Sequence, residues 1–196
     1  MSNPYGQYII KTMRVIAGCA KGCILKMPKN TPTRPATELV RGALFSILEN
    51  MDADWSNVLD LFSGSGSLGI EALSRGAGHV DFCDQERRCC ETIQENLVKT
   101  KLAEYGTVHC APVEKVIPKL TGPYGIVLMD PPYKNHEIGK IVEQLDASGI
   151  VSDDAPVFMT HRDLFKLEDH YGSLKLHREV RHGESVIAIF FKETNK

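Results

Sequence analysis

The chain has no apolar run near the roughly 18 residues that a membrane-spanning helix requires, which argues against a helical membrane protein. Its start carries no apolar stretch ahead of a small-residue cleavage site, so no secretory signal is expected and the default compartment is the cytoplasm. The six cysteines, at 19, 23, 83, 89, 90 and 110, form no Cys-x-x-Cys pair and have no paired His cluster beside them. A zinc site therefore has little support, and no metal is expected. Cys19 and Cys23, with three residues between them, read as ordinary reduced thiols. Cys83 and Cys110 end strand-like runs and read as small buried residues. Internal repeats and low-complexity blocks are lacking too. A net charge of −2 argues against an indiscriminate nucleic-acid binder.

What is present fits one domain with a small appendage. The 196 residues are enough for a sizeable core, and 42% hydrophobic with 24% charged residues is ordinary globular composition. The charge is unevenly spread. Residues 1–41 hold seven basic residues against Glu38 alone, a net of +6, whereas the remainder carries −8. This asymmetry fits either a basic arm for a phosphate backbone on an acidic catalytic body, or a solvated basic hairpin. The expected division is an appendage over 1–36 and a catalytic domain over 37–196. Nothing in the sequence calls for an obligate oligomer, so a monomer is expected.

Residues 13–27 read as two short strands, Met13 to Ala17 and Cys23 to Met27, followed by a proline-rich linker (Pro28, Pro32, Pro35). Thr37 opens a helical pattern with Val40, Leu44, Ile47 and Leu48 on one face. From Asn57 strand-like and helix-like segments alternate. Strands are expected at Val58–Phe62, Val80–Asp84, Thr107–Cys110, Ile126–Met129 and Pro156–Thr160, and a closing hairpin at Leu174–Val180 and Ser185–Phe191. Such alternation predicts an α/β fold with a mostly parallel sheet covered on both faces. Ligands bind such sheets at the carboxyl ends of the strands, near the switch in strand order. Asp60 to Gly66, Asp84, Cys110 and Asp130 all fall at those ends, which predicts one shared pocket.

Gly64-Ser65-Gly66-Ser67-Leu68-Gly69 matches G-x-G-x-x-G between a strand and a helix, where glycine lets a ligand approach the main chain. Asp84 lies 20 residues beyond Gly64, placed to accept both hydroxyls of a ribose. Together they indicate a nucleoside-containing cofactor without separating NAD from S-adenosylmethionine. Two features tilt the choice. Asp60 offers a carboxylate to an ammonium group, whereas the pyrophosphate of NAD prefers bare amides and a helix N-terminus. The second is Asp130-Pro131-Pro132-Tyr133 after an apolar strand. Two prolines fix the backbone and remove two N–H donors, leaving the Asp130 side chain and the Pro131 carbonyl as acceptors. An exocyclic base amine is a poor nucleophile because its lone pair is delocalised. Two acceptors gripping its hydrogens favour a pyramidal nitrogen, and Tyr133 offers a flat face for stacking. Methyl transfer then needs mainly orientation and electrostatics.

On these motifs the chain resembles the amino-methylating Rossmann-like methyltransferases. Residues 60–72 resemble their cofactor motif, and Asp130-Pro131-Pro132-Tyr133 resembles their [DNS]-P-P-[YF] motif. Met13 to Gly18, Lys21-Gly22, Arg34-Pro35 and Val40-Arg41 narrow the resemblance to the bacterial RsmD family, which methylates N2 of a guanine in small-subunit (16S) ribosomal RNA. The resemblance implies a Rossmann-like seven-stranded S-adenosylmethionine-dependent methyltransferase fold with an N-terminal β-hairpin extension. It also implies an exposed or flipped guanine and a small ribosomal subunit or its RNA as partner. Cofactor contacts are implied for Asp60, Phe62, Ser63, Gly64, Gly66, Asp84, Gln85, Cys110 and Ala111, and the acceptor platform for Asp130, Pro131, Pro132 and Tyr133. RNA phosphate contacts are assigned to Arg14, Lys21, Arg34 and Arg41.

The sequence departs from the family at four places. Ala36 stands where a threonine is usual, Gly42 where a glutamate is usual, and Cys110-Ala111 where an acidic or amide residue meets the adenine. The fourth is Thr160-His161, which falls where the family has an acidic residue on the fifth strand; His161 itself reads as a surface or core-edge residue. With Cys110 in place, the adenine would be held mainly by the Ala111 backbone N–H. The competing readings are an adenine-N6 DNA methyltransferase, an NAD-dependent oxidoreductase and a noncatalytic RNA-binding protein.

Overall fold

The computed structural model describes residues 13–28, 37–132, 138–162 and 166–193. The N-terminal part comprises β1 (Met13–Arg14), β2 (Ile24–Leu25) and α1 (Glu38–Leu48). The alternating body follows: β3 (Asn57–Leu61), α2 (Ser67–Ser74), β4 (His79–Asp84), α3 (Arg87–Thr100), β5 (Gly106–Cys110), α4 (Val113–Val116), β6 (Ile126–Met129), α5 (Ile138–Ala147) and β7 (Val157–Arg162). It closes with β8 (His170–Tyr171), β9 (Leu174–His182) and β10 (Ser185–Lys192).

The main sheet has the order β5-β4-β3-β6-β7-β10-β9-β8. Strands β3 to β7 pair in parallel, while β10, β9 and β8 are antiparallel additions. The chain leaves β3 toward β4 and β5, then crosses back to β6 and β7 on the other side. The switch point therefore lies between β3 and β6, where Leu61 pairs with Met129. Seven of these strands make the expected Rossmann-like methyltransferase sheet. The eighth, β8, is a two-residue edge strand that the sequence reading did not include.

Alternate strand residues divide between two cores, as the strand period of two dictates. Val58, Phe82, Leu128 and Phe158 pack under α1, α2 and α3. Leu59, Cys83, Met129 and Met159 pack under α4 and α5. Burial on both faces explains why β6 is apolar at every position rather than alternating. Thr37 caps α1, its hydroxyl accepting the Val40 N–H at 3.3 Å. The helical segment after β5 is divided: α4 ends at Val116 and a 3-10 turn covers Ile117–Lys119, which contains Pro118.

The N-terminal hairpin is joined to the body by packing and by buried hydrogen bonds. Val15, Ala20 and Leu25 belong to the same apolar cluster as α1, α2 and α3. The Cys19 N–H bonds to the Ser74 carbonyl at 2.8 Å, and the Ala20 N–H to the Ser74 hydroxyl at 3.0 Å. Glu71 accepts the Ile16 and Ala17 amides at 2.8 and 2.9 Å. The regular pairing is shorter than the sequence predicts, two residues in each strand, because Glu71 and Ser74 take amides near β1 that a longer ladder would use.

Candidate active site

The site is assembled where β3, β4, β5 and β6 end. Regular β3 stops at Leu61, and Phe62 turns the chain with φ 61°, a left-handed conformation uncommon outside glycine. Gly66 continues the turn with φ 76° and starts α2. Gly69, one turn into α2, lets the helix lie close to the sheet. A Cβ there would sit 2.3 Å from the Phe82 ring.

Ser63 ties the loop to β4. Its hydroxyl donates to the Asp60 carbonyl at 2.6 Å and accepts the Cys83 N–H at 2.9 Å, while its own N–H bonds to the Cys83 carbonyl at 3.0 Å. The buried Ser63 hydroxyl thus serves the shape of the loop.

Three carboxylates meet around this loop. Asp84, at the end of β4, accepts the Gly64 N–H on Oδ2 and the Glu86 N–H on Oδ1, both at 2.8 Å. A carboxylate oxygen can accept more than one hydrogen bond, so Asp84 has the chemistry to meet a ribose hydroxyl as well. Asp60 is completely buried, and its Oδ2 accepts the Gly69 N–H at 3.0 Å. Its Oδ1 is buried without a hydrogen-bond partner among the described residues. Burial pushes the Asp60 carboxyl up to about 8 against the pull of the Gly69 amide, and the charges of Asp130 and Asp84 add to the rise.

An orphaned oxygen in an acidic cluster is what a ligand with an ammonium and a sulfonium would satisfy. The space beside Gly64 is also open, with the nearest atom 4.0 Å from where a Cβ would stand. The residues present therefore fit S-adenosylmethionine better than a pyrophosphate-bearing cofactor.

Asp130 follows β6 directly. Its N–H reaches the Leu61 carbonyl at 3.4 Å, and the buried Thr160 hydroxyl of β7 donates to its Oδ1. Pro131 is buried and Pro132 exposed. Tyr133 lies outside the described residues, as does Arg34. On the far side, Gln85 and Cys110 are exposed and Ala111 is half-buried. Cys110 is thus a surface thiol rather than the small core residue expected, because β5 is the edge strand. The Cys90 thiol donates to the Asp84 carbonyl at 3.3 Å, and burial, then contact with Cys110, hold it well above its ordinary range.

The structure corrects one assignment outright. Arg41 is fully buried and no phosphate can reach it. Its guanidinium lies 3.5 Å from Glu71 and donates to the Arg14 carbonyl at 2.8 Å, so it is an internal cation beneath the hairpin. Burial lowers its pKa, with Glu71 opposing the shift. Arg14 and Lys21 do stand exposed on the hairpin. His161 is buried and turned toward β9, with Nε2 3.0 Å from Glu179. Thr160 and Asn96, both in contact with the site, were not singled out from sequence in these roles. The available signal was a polar residue on an apolar element: Thr160 ends the run Val157-Phe158-Met159, and Asn96 sits beside Leu97 on the buried face of α3. Among the described residues, no cluster of three or more His, Cys, Asp or Glu could hold a metal, and no helix is long and apolar enough to cross a membrane.

With this geometry in place, the likeness to known proteins is informative. The family model described as Conserved hypothetical protein 95 matches residues 13–191. The chain is 34% identical over 184 residues to "Putative rRNA methyltransferase YlbH" of Bacillus subtilis (strain 168), covering 92% of this chain and 99% of that one. It is 29% identical over 181 residues to "Ribosomal RNA small subunit methyltransferase D" of Escherichia coli (strain K12), covering 92% and 90%. A solved structure of "Putative methyltransferase yhhF" from Escherichia coli superposes with a TM-score of 0.81 at 28% identity, covering 93% of this chain and 98% of that one.

Proposed function

The chain belongs to the Conserved hypothetical protein 95 family, and from that premise we propose that it transfers a methyl group from S-adenosylmethionine to the exocyclic N2 amine of a guanine in small-subunit ribosomal RNA. The observation that carries the chemistry is the meeting of Asp60, Asp84 and Asp130 around the glycine loop at the switch point. The RNA acceptor is supported by the names of the two sequence relatives and by Arg14 and Lys21 on the exposed face of the hairpin.

Asp84 would hold the ribose, Asp60 the ammonium, and Ala111, beside Cys110, the adenine. When bound, the cofactor supplies an electrophilic methyl on a cationic sulfur. The protein's own part is to grip and aim the amine. Asp130 and the Pro131 carbonyl accept its two hydrogens, which weakens conjugation of the nitrogen lone pair with the ring. Asp130 is held by its place at the end of β6 and by the Thr160 hydroxyl, which donates to its Oδ1. Tyr133 provides the stacking face. No covalent enzyme intermediate is required.

Incubation with methyl-tritiated S-adenosylmethionine tests this reading. Label should enter small-subunit ribosomal RNA that lacks the modification and should not enter DNA. Label in DNA alone, or in neither, contradicts it.

Two further outcomes follow from the hydrogen bonds and charges. Thr160→Val removes the donor to Asp130 at nearly constant volume, so kcat is expected to fall about tenfold, in line with one lost charge-assisted hydrogen bond. KM for the cofactor should stay unchanged, and Thr160→Ser should restore the rate.

The second outcome is a pH dependence. Because Asp60 is raised to about 8, it is mainly protonated in the free protein at neutral pH. Binding a cation beside it favours the ionised form and expels the proton. Affinity for S-adenosylmethionine should therefore climb with pH and level off above about 8. Calorimetry in buffers of different ionisation enthalpy should find about one proton released per cofactor at neutral pH, and none in Asp60→Asn. In the free protein the sign is opposite. The raised value makes folding stability fall as pH rises from the ordinary 3.8 toward about 8.

A further inference from the structure

Asn96 belongs to none of the motifs that mark the site, yet it is fully buried on α3 with all of its amide engaged. Its Oδ1 accepts the Lys26 N–H at 2.7 Å, and its Nδ2 donates to the Lys26 carbonyl at 3.0 Å. These two bonds close a ring on the backbone just beyond β2. The same Nδ2 donates to the Ser65 carbonyl at 2.9 Å, between Gly64 and Gly66 of the cofactor loop. Arg41 makes a parallel bridge from the other hairpin strand, donating to the Arg14 carbonyl at 2.8 Å and lying 3.5 Å from the Ser67 carbonyl. Each strand of the hairpin is thus linked through one buried side chain to one flank of Gly66. Ile93, one turn earlier on α3, closes the inner side of the loop, 3.2 Å from where a Gly66 Cβ would stand.

We propose that Asn96 is a positioning residue that makes the seat of the hairpin and the shape of the cofactor loop one mechanical unit, so that RNA on the hairpin and cofactor in the loop strengthen each other's binding. The inference rests on the function proposed above. The Asn96 side chain cannot turn without breaking bonds at both ends, and its buried partners find no substitute in water. Ordering either end therefore orders the other, and the resulting coupling is reciprocal.

The experiment titrates S-adenosylhomocysteine into the full chain, alone and with a saturating unmethylated transcript of small-subunit ribosomal RNA. In the unaltered protein the RNA should lower Kd about tenfold. Asn96→Ala should abolish that enhancement. Asn96→Asp keeps the acceptor for the Lys26 N–H but cannot donate to Ser65, and it decides the matter if the alanine variant fails to fold. Ser74→Ala loosens the hairpin at its other attachment without touching Ser65 or Ser67, and it should retain the enhancement. A merely structural role for Asn96 would make the Ser74 and Asn96 variants alike. Mutually independent binding in the unaltered protein, enhancement retained in Asn96→Asp, or enhancement lost equally in Ser74→Ala would each overturn the inference. If the unaltered protein binds neither the cofactor analogue nor the RNA, the proposed function falls and takes the inference with it.

Discussion

Asp130→Ala should reduce methyl transfer by about a hundred- to a thousandfold while the cofactor still binds, the scale seen when one preorganised polar group is removed from a reacting centre. On the proposed function, the substitution removes one of the two acceptors for the amine and leaves the Pro131 carbonyl alone with two hydrogens to satisfy. It also leaves the buried Thr160 hydroxyl without the carboxylate it donates to. The contacts proposed for the cofactor lie on the other strands, at Asp84 and the Gly64 loop, and do not pass through this side chain. Removing a negative charge beside Asp60 also lowers the cost of ionising Asp60, so the cofactor affinity should move only a few-fold. Single-turnover methylation with calorimetric binding on the same sample checks this. Near-normal turnover in the variant would show that the platform is not where the reaction occurs.

Glu71→Ala should cost about 3–5 kcal/mol of folding stability, the range for a buried ion pair that loses one partner. Glu71 is fully buried, accepts the Ile16 and Ala17 amides and Arg75 at 2.9 Å, and is ion-paired with Arg41 at 3.5 Å. Its loss strands the Arg41 cation in the core and leaves two backbone N–H groups of the hairpin without their acceptor. A domain of this size has about 5–15 kcal/mol in total, so the midpoint of urea denaturation should drop steeply. Glu49→Ala cuts the outer arm of the same network, where Glu49 is half exposed, and should cost less than about 1 kcal/mol. Equal effects of the two substitutions would remove Glu71 from its place as the clamp.

The parts of the molecule legible in the sequence are those whose signal is local. The run Val58 to Leu61, the Gly64 turn and the apolar β6 ending at Asp130 each announce themselves within a few residues. Their order alone then brings them to one end of the sheet. What stayed hidden depends on partners far along the chain. Arg41 looks like any exposed cation until α2 brings Glu71 beneath it, and the clue lay in Glu71 itself, a carboxylate flanked by Leu68, Ile70, Ala72 and Leu73 on a helix with no exposed residue. β8 has two residues and therefore no periodicity to read. Cys110 was expected inside because it ends a strand-like run, but an edge position leaves it open to solvent. Asn96 and Thr160 act through hydrogen bonds to residues 70 and 30 positions away, a relation that no spacing rule carries.

The most direct test of the central claim is the identity of the methylated nucleoside. Small-subunit ribosomal RNA lacking the modification is treated with the chain and S-adenosylmethionine, digested to nucleosides and resolved by mass spectrometry. The expected product is N2-methylguanosine, formed by the unaltered chain and nearly lost in Asp130→Ala. Methylation of another nucleoside, such as N6-methyladenosine, or RNA that gains no methyl group, would contradict it.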